Sequence, residues 1–386
     1  MIGIFEALLA FALVIAFSIF VSVRFRVASG AAPLAVLCTS VLWYTVCACA
    51  GLLFPAAVVW IAAGGAAAGW AVWRRGQVAK AQLLTPSFVF FLLAGLAVIL
   101  LMGIRQPLFM EWDEFSFWGI APKVVKETNM LYVTADTEMR VITYAPGLVL
   151  LSHLFEFIGA EFAPWKVYAA YDILLFAIYA AALSCCRKKH WHIAVLGGTI
   201  MVLLPYLMTV YMRNVYVETA YLSSYADIPM GLLFGAPLAL YFTQRDKGAP
   251  VLLTACAAIA MTCLSKEMGF ALALIAAALI AFDVLFVNRD TPRIGPLPAL
   301  AARLVWCVAL AASAVVPYVG WARYRSSVTG ASVTELGGSQ NMQMFEMLFT
   351  GLKELIGIDR TERFSRVMGQ MWQAFYSTSL SEFSVG

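Results

Sequence analysis

Four short groups of polar residues could carry chemistry in a sequence that is otherwise strongly apolar. The first is Glu111-Trp112-Asp113-Glu114, where carboxylates lie beside a tryptophan. Partial burial makes a carboxylate more basic, and paired acids can act as a general base or hold a cation. Asp113 and Glu114 are therefore the candidate catalytic residues. An aromatic belt at a membrane surface with solvated acids would give the same pattern, and the sequence leaves that interpretation open.

Three further groups follow along the chain. The segment from Tyr144 to Gly147 has a proline that fixes a helix start and a glycine that permits close backbone approach. Asp227 begins an apolar stretch, where a negative charge suits a helix N-terminus. Lys266 and Glu267 separate two very apolar stretches. Ionisable residues at such positions either serve a function or extend their charge to the lipid headgroups. The lysine could bind a lipid phosphate.

The composition indicates which elements must position these groups. Of 386 residues, 62% are apolar and only 12% are charged, whereas about 25% are charged in soluble domains. A soluble enzyme is excluded, because it would expose much of this apolar surface to water. No block of basic residues suggests a nucleic-acid partner. The predicted fold class is all-α, a polytopic integral membrane protein whose partner is the lipid bilayer.

Ten apolar stretches are predicted to cross the membrane, at about 3–23, 33–53, 56–73, 86–104, 164–186, 193–210, 228–243, 250–265, 269–287 and 299–317. The lysines and arginines of the short loops then fall on one side, which predicts that this side is cytoplasmic. This holds if residues 145–160 form an amphipathic helix lying at the interface instead of crossing. All four polar groups would then face the outside.

The predicted organisation has three parts. Residues 1–85 form extra N-terminal transmembrane helices. Residues 86–320 form the transmembrane core and include an outer acidic loop at 104–145. Residues 321–386 form an outer, partly helical tail.

The order of the four groups resembles the GT-C superfamily of membrane glycosyltransferases. The branch it resembles contains the protein O-mannosyltransferases and the aminoarabinose transferases. The shared order is an acidic loop after a span, a Tyr-x-Pro-Gly segment, a basic turn, Tyr225-Ala226-Asp227 and Lys266-Glu267-Met268-Gly269. The resemblance covers about residues 86–290. The sequence departs from the family in two respects. Three spans precede the span that leads into the acidic loop, whereas the family usually has a single span there. Tyr144–Gly147 contains one proline, whereas two are common in the family.

This resemblance implies a GT-C-like fold and transfer of a sugar from a polyprenyl-phosphate donor, with inversion, to a hydroxyl of a glycan, lipid or protein acceptor. Asp113 would be the base and Lys266 would bind the phosphate, helped by Arg105 or Arg140. The other implied site residues are Glu114, Glu267, Asp227 and Tyr144. Alternatively, Asp113, Glu114 and Asp227 would hold Mg²⁺ or Mn²⁺. The expected location is a bacterial inner membrane, with the active face outside the cytoplasm.

Two other function classes remain open at this level. A transporter or flippase for a lipid or small anion would need polar residues along a path through the membrane, whereas here the ionisable residues gather at one face. A non-catalytic membrane subunit of polysaccharide assembly is the third possibility. Turnover of a lipid-linked sugar by the purified protein would distinguish these classes.

Overall fold

The computed structural model describes residues 2–80, 83–134, 144–186, 188–207, 220–288, 292, 294–295, 297–330, 350–351, 353–354, 357 and 362–377. Within these residues all regular structure is helical, which confirms the predicted all-α class. Arg140, a candidate phosphate-binding residue, lies outside the described residues.

Fourteen α-helices are described. They are α1 Ile2–Phe25, α2 Ala32–Cys49, α3 Leu53–Trp73, α4 Arg75–Lys80, α5 Pro86–Arg105, α6 Ile120–Thr128, α7 Gly147–Glu156, α8 Pro164–Ala182, α9 Trp191–Leu207, α10 Asp227–Gln244, α11 Ala249–Cys263, α12 Gly269–Phe282, α13 Ala299–Thr329 and α14 Glu362–Ser377. Proline occupies the first turn of α2, α5, α8 and α11, where the missing N–H costs little.

Seven of the described helices are long and apolar enough to cross a membrane: α1, α2, α3, α5, α8 with its extension to Cys185, α12 with its extension to Val287, and α13. Shorter apolar helices occupy Gly147–Glu156, Trp191–Leu203 and Ala249–Cys263. A helix is present at each of the ten predicted spans. The structure is thus consistent with a polytopic membrane protein, while the count of ten crossings stays a prediction.

Helix α8 forms the centre of the bundle. All its residues from Trp165 to Ala181 are buried, and it packs against α2, α5, α7 and α10. A helix surrounded in this way has little freedom to move, because interiors are packed as densely as crystals of small molecules. Polar side chains on α8 are therefore held in fixed positions.

Helix α7 differs from its prediction as an amphipathic helix at the interface. All ten of its residues are buried, and it packs against α1, α2, α6 and α8. Its polar residues are enclosed by protein: the Ser152 hydroxyl donates to the Leu148 carbonyl, the Glu156 carboxylate lies 3.9 Å from Lys166 Nζ, and the His153 ring packs edge-on against Tyr44 and Phe157. The prediction of an interfacial helix is therefore wrong. The sequence shows polar residues on the helix but not the lysine of α8 that faces them.

Candidate functional site

A buried carboxylate organises the acidic segment, residues 110–118, which lies before α6. Glu114 is fully buried and accepts five hydrogen bonds at 2.9–3.0 Å. Oε2 accepts from the amides of Met110 and Glu111 and from the Tyr168 hydroxyl. Oε1 accepts from the amide and the hydroxyl of Ser224. A buried carboxylate needs several hydrogen-bond donors, because burying an unpaired charge costs much free energy. It joins three parts of the chain at one point: the segment before α6, helix α8 and the loop before α10.

Asp113 is in a different environment although it directly precedes Glu114. It is exposed, and its backbone amide donates to the Tyr225 hydroxyl at 3.2 Å. A π-helical turn spans Glu114–Trp118 immediately after it, and such turns are frequent at functional sites. Asp113 therefore presents its carboxylate to solvent on a backbone that is fixed from both sides. The sequence named both acids as candidate catalytic residues, with Asp113 as the base; the structure shows that the Glu114 oxygens are occupied by protein donors whereas the Asp113 side chain is exposed.

The Tyr225 hydroxyl, which accepts the hydrogen bond from the Asp113 amide, stays protonated near neutral pH. Burial raises its pKa, and the nearby carboxylates of Asp113, Glu111 and Glu114 raise it further. A neutral phenol can accept the amide hydrogen and still donate its own. Tyr225 was part of the Tyr-x-Asp group singled out in the sequence, but only the structure brings it to Asp113.

Lys266 and Asp227 form an ion pair. Lys266 Nζ donates to Asp227 Oδ1 at 2.7 Å, with the lysine side chain 25% exposed and the aspartate 61% exposed. Asp227 is the first residue of α10, and Lys266 lies in the turn between α11 and α12. Glu267, next to the lysine, is partly exposed. The pair leaves the ammonium group accessible, so an anion from outside can compete with Asp227 for it.

The Tyr144–Gly147 segment contacts the turn that carries Lys266. The Gly147 amide donates to the Leu264 carbonyl at 2.7 Å, and a Cβ on Gly147 would lie 2.5 Å from that oxygen. Only glycine permits this approach. The Tyr144 ring stacks on Phe117 with centroids 4.5 Å apart, and the Tyr144 carbonyl accepts from the Tyr132 hydroxyl at 2.7 Å.

These contacts close a ring that includes all four groups. The acidic segment is hydrogen-bonded to Ser224 and Tyr225, in the loop that leads into Asp227. Asp227 forms an ion pair with Lys266, and the turn that carries Lys266 is hydrogen-bonded to Gly147. The Tyr144 ring stacks on Phe117 of the acidic segment, which closes the ring. The structure therefore brings together Asp113, Glu114, Asp227, Lys266 and Tyr144. Tyr168 was missed by the sequence reasoning, since nothing in its apolar surroundings marks it.

Arg105 is not joined to this ring. It ends α5 with an exposed side chain, and within the described residues no hydrogen bond or ion pair links it to the other candidates. The suggested Mg²⁺ or Mn²⁺ site is also not supported. Glu114 already accepts five hydrogen bonds and Asp227 is paired with Lys266, and the described residues contain no group of three or more metal-ligating side chains. These residues do not fit a divalent cation.

A cavity of about 930 Å³ lies beside the acidic segment. Its apolar wall includes Phe109, Phe115 and Phe162, and its polar wall includes Asn129, with the charged residues Lys123, Lys126, Glu127 and Glu161. Two positive and two negative side chains give a balanced lining. The Asn129 side-chain oxygen is buried and has no hydrogen-bond partner among the described residues. The cavity thus suits a neutral ligand with both an apolar face and hydrogen-bonding groups.

A buried charge cluster is formed by Glu6, Glu156 and Lys166. Lys166 is 1% exposed and binds Glu6 at 2.7 Å, while Glu156 is fully buried. Burial raises the pKa of Glu156 to about 8, although Lys166 and the Ala163 amide oppose the shift. The cluster ties α1, α7 and α8 together below the acidic segment.

No protein-family model matches the chain, and neither a curated protein nor a solved structure matches it.

Proposed function

We propose that this chain is a membrane glycosyltransferase that moves a sugar from a polyprenyl-phosphate donor to an acceptor hydroxyl, on the side of the membrane away from the cytoplasm. The observation that carries the proposal is the ring of contacts among four groups that are far apart in sequence. An accessible carboxylate and an accessible ammonium group, both anchored to this ring, are the two groups that such a transfer requires.

Asp113 is the proposed general base. Its carboxylate is exposed and can take the proton of the acceptor hydroxyl as that oxygen attacks the anomeric carbon. The buried Glu114 fixes the backbone beneath it through the amides of Met110 and Glu111. One base and one displacement imply inversion at the anomeric carbon. Glu114 acts here as a positioning residue, because its oxygens are taken by protein donors.

Lys266 is the proposed phosphate-binding residue. Its ammonium group lies 2.7 Å from Asp227 Oδ1 and remains partly exposed. When the bond from the anomeric carbon to the phosphate oxygen breaks, negative charge grows on the phosphate. A fixed cation stabilises that charge, and this type of electrostatic stabilisation is commonly the largest contribution to catalysis. Asp227 holds the lysine in place until the donor arrives.

The acceptor space proposed is the 930 Å³ cavity beside the acidic segment. Its volume falls within the range of about 300–1,000 Å³ that is usual for small-molecule sites. Its aromatic wall and balanced charges suit a sugar ring, which has apolar C–H faces and a rim of hydroxyls. This property supports a glycan acceptor within the proposed function.

The decisive test is turnover of a polyprenyl-phosphate-linked sugar by purified wild-type protein and by the Asp113→Asn variant. The variant keeps the size of the side chain and removes its basicity. Turnover should fall by roughly 10²–10⁴-fold, the usual contribution of general base catalysis. Glu362→Gln is the matched control, because this exposed carboxylate begins α14 and lines neither described cavity. Equal turnover by wild type, Asp113→Asn and the control would contradict the role of Asp113. Movement of the lipid without sugar release would instead indicate a flippase.

A further inference from the structure

A polar cavity of about 570 Å³ lies at the end of the bundle opposite to the candidate site. It is lined by the C-terminal ends of α1, α8 and α10 and by the segment that leads into α5. The candidate site uses the other ends of α8 and α10, at Tyr168 and Asp227. The two sites are therefore separated by the length of these helices, and this cavity takes no part in the proposed sugar transfer.

Five hydroxyl groups line this cavity: Ser22, Ser29, Thr85, Ser184 and Thr243. All of them except Ser22 have hydrogen-bond partners. The Ser29 and Thr85 hydroxyls lie 2.8 Å apart. Gln244 is almost completely buried and donates to the Ser184 hydroxyl. The Ser184 and Thr243 hydroxyls already donate to the carbonyls of Ala181 and Ala239, so towards a ligand they can accept a hydrogen bond.

Two cations and one acid complete the lining. Arg26 and Lys247 contribute positive charge and Asp246 one negative charge, so the cavity carries a net positive charge. Lys247 Nζ donates to Gln244 Oε1 at 2.7 Å, which connects the lysine to the buried amide. Arginine and lysine together with hydroxyl donors form the usual environment of a bound phosphate group.

Ser22 gives an independent indication that the cavity binds a ligand. Its side chain is 8% exposed, and its Oγ is buried without a hydrogen-bond partner among the described residues. Buried hydroxyls nearly always have a partner, because leaving one unsatisfied costs free energy. Ser22 lines the cavity, so rotation of its buried hydroxyl towards the cavity would let a ligand oxygen supply the missing partner.

We propose that this cavity binds a phosphate ester, with Arg26 and Lys247 holding the phosphate and the serine and threonine hydroxyls binding the alcohol part. Such a group is carried both by an anionic phospholipid, such as phosphatidylglycerol, and by a soluble ester, such as glycerol 3-phosphate. The location at a helix-bundle end rich in basic residues favours anionic phosphate in either form.

The test compares binding by wild type and by the double variant Arg26→Gln/Lys247→Gln. Phosphatidylglycerol binding is measured by native mass spectrometry in detergent, with diacylglycerol of the same chains as the probe that lacks phosphate. Glycerol 3-phosphate binding is measured by calorimetry, with glycerol as its counterpart. The double variant should bind the phosphate-containing probe about 30-fold more weakly, which corresponds to about 2 kcal/mol.

Arg24→Gln is the matched control, because Arg24 is exposed, lies two residues from Arg26 and does not line the cavity. It should bind like wild type. If the double variant does not fold, Lys247→Gln alone should weaken binding about 5-fold. Binding of phosphatidylglycerol only identifies a lipid site, and binding of glycerol 3-phosphate identifies a soluble ligand. Equal binding by wild type and the charge variants, or equal binding of probes with and without phosphate, would overturn the proposal.

Discussion

Replacing Glu114 with glutamine should destabilise the acidic segment although the two side chains have the same shape. The carboxylate accepts five hydrogen bonds, whereas an amide presents one oxygen and one NH₂ group. The least damaging orientation turns the NH₂ towards Ser224, whose hydroxyl can rotate but whose backbone amide cannot. That stranded amide costs about 1–3 kcal/mol. The remaining bonds lose their ionic character and weaken further. The expected loss of unfolding free energy is about 2–4 kcal/mol.

The assay is hydrogen–deuterium exchange of the purified protein, read at the three amides that donate to the carboxylate: Met110, Glu111 and Ser224. A loss of about 2–4 kcal/mol should speed exchange at these amides roughly 30- to 700-fold. Glu127→Gln is the control, because that carboxylate is 59% exposed and its loss should change stability by less than about 0.5 kcal/mol. Unchanged exchange at all three amides in Glu114→Gln would refute the positioning role.

Three further substitutions test other parts of the structure. Lys266→Met removes the partner of Asp227 and should weaken binding of a polyprenyl-phosphate analogue in nanodiscs roughly 10- to 150-fold; equal affinity would mean that the lysine only reaches for the headgroups. Gly147→Ala should lower the unfolding free energy by about 1–3 kcal/mol, since its Cβ would meet a backbone oxygen, whereas Gly320→Ala, with open space around it, should be neutral or stabilising. Burial raises the pKa of Glu156 from 4.5 to about 8, so the folded state favours the protonated acid and the unfolding free energy should fall as pH rises between these values. Glu156→Gln should flatten that pH profile; an unchanged slope would contradict the assignment.

The sequence was sufficient to predict a helix at each long apolar stretch, because such stretches must satisfy their backbone groups internally in a membrane. It also singled out Asp113, Asp227, Lys266 and Tyr144, which the structure brings together. Each of these residues lies within or next to an apolar stretch, and a polar residue at such a position can be recognised from the sequence alone. That they share one face was predicted by placing the basic loops on one side of the membrane, and the side on which each loop lies stays a prediction.

The sequence proposed Asp113 as the base, but the burial of Glu114 could not be predicted. It depends on Tyr168 and Ser224, which are 54 and 110 residues away from Glu114. Similarly, α7 looks like a surface helix until Lys166 of α8 is seen to face its glutamate. In both cases the deciding partners are polar residues of other helices or loops, and hydrophobic periodicity contains no information about which residues pair.

The distance in sequence between Glu114 and Ser224 also sets an order of events during synthesis. The ribosome adds about 5–20 residues per second, so about 5–20 s separate the appearance of this carboxylate from that of the serine that satisfies it. During that interval the Glu114 side chain must stay hydrated or protonated, and the acidic segment cannot pack against the helices already inserted. The lysine of the α11–α12 turn arrives 39 residues after Asp227 and completes the ring. The ring of contacts around the candidate site is therefore completed late, after helices α1–α11 have been synthesised.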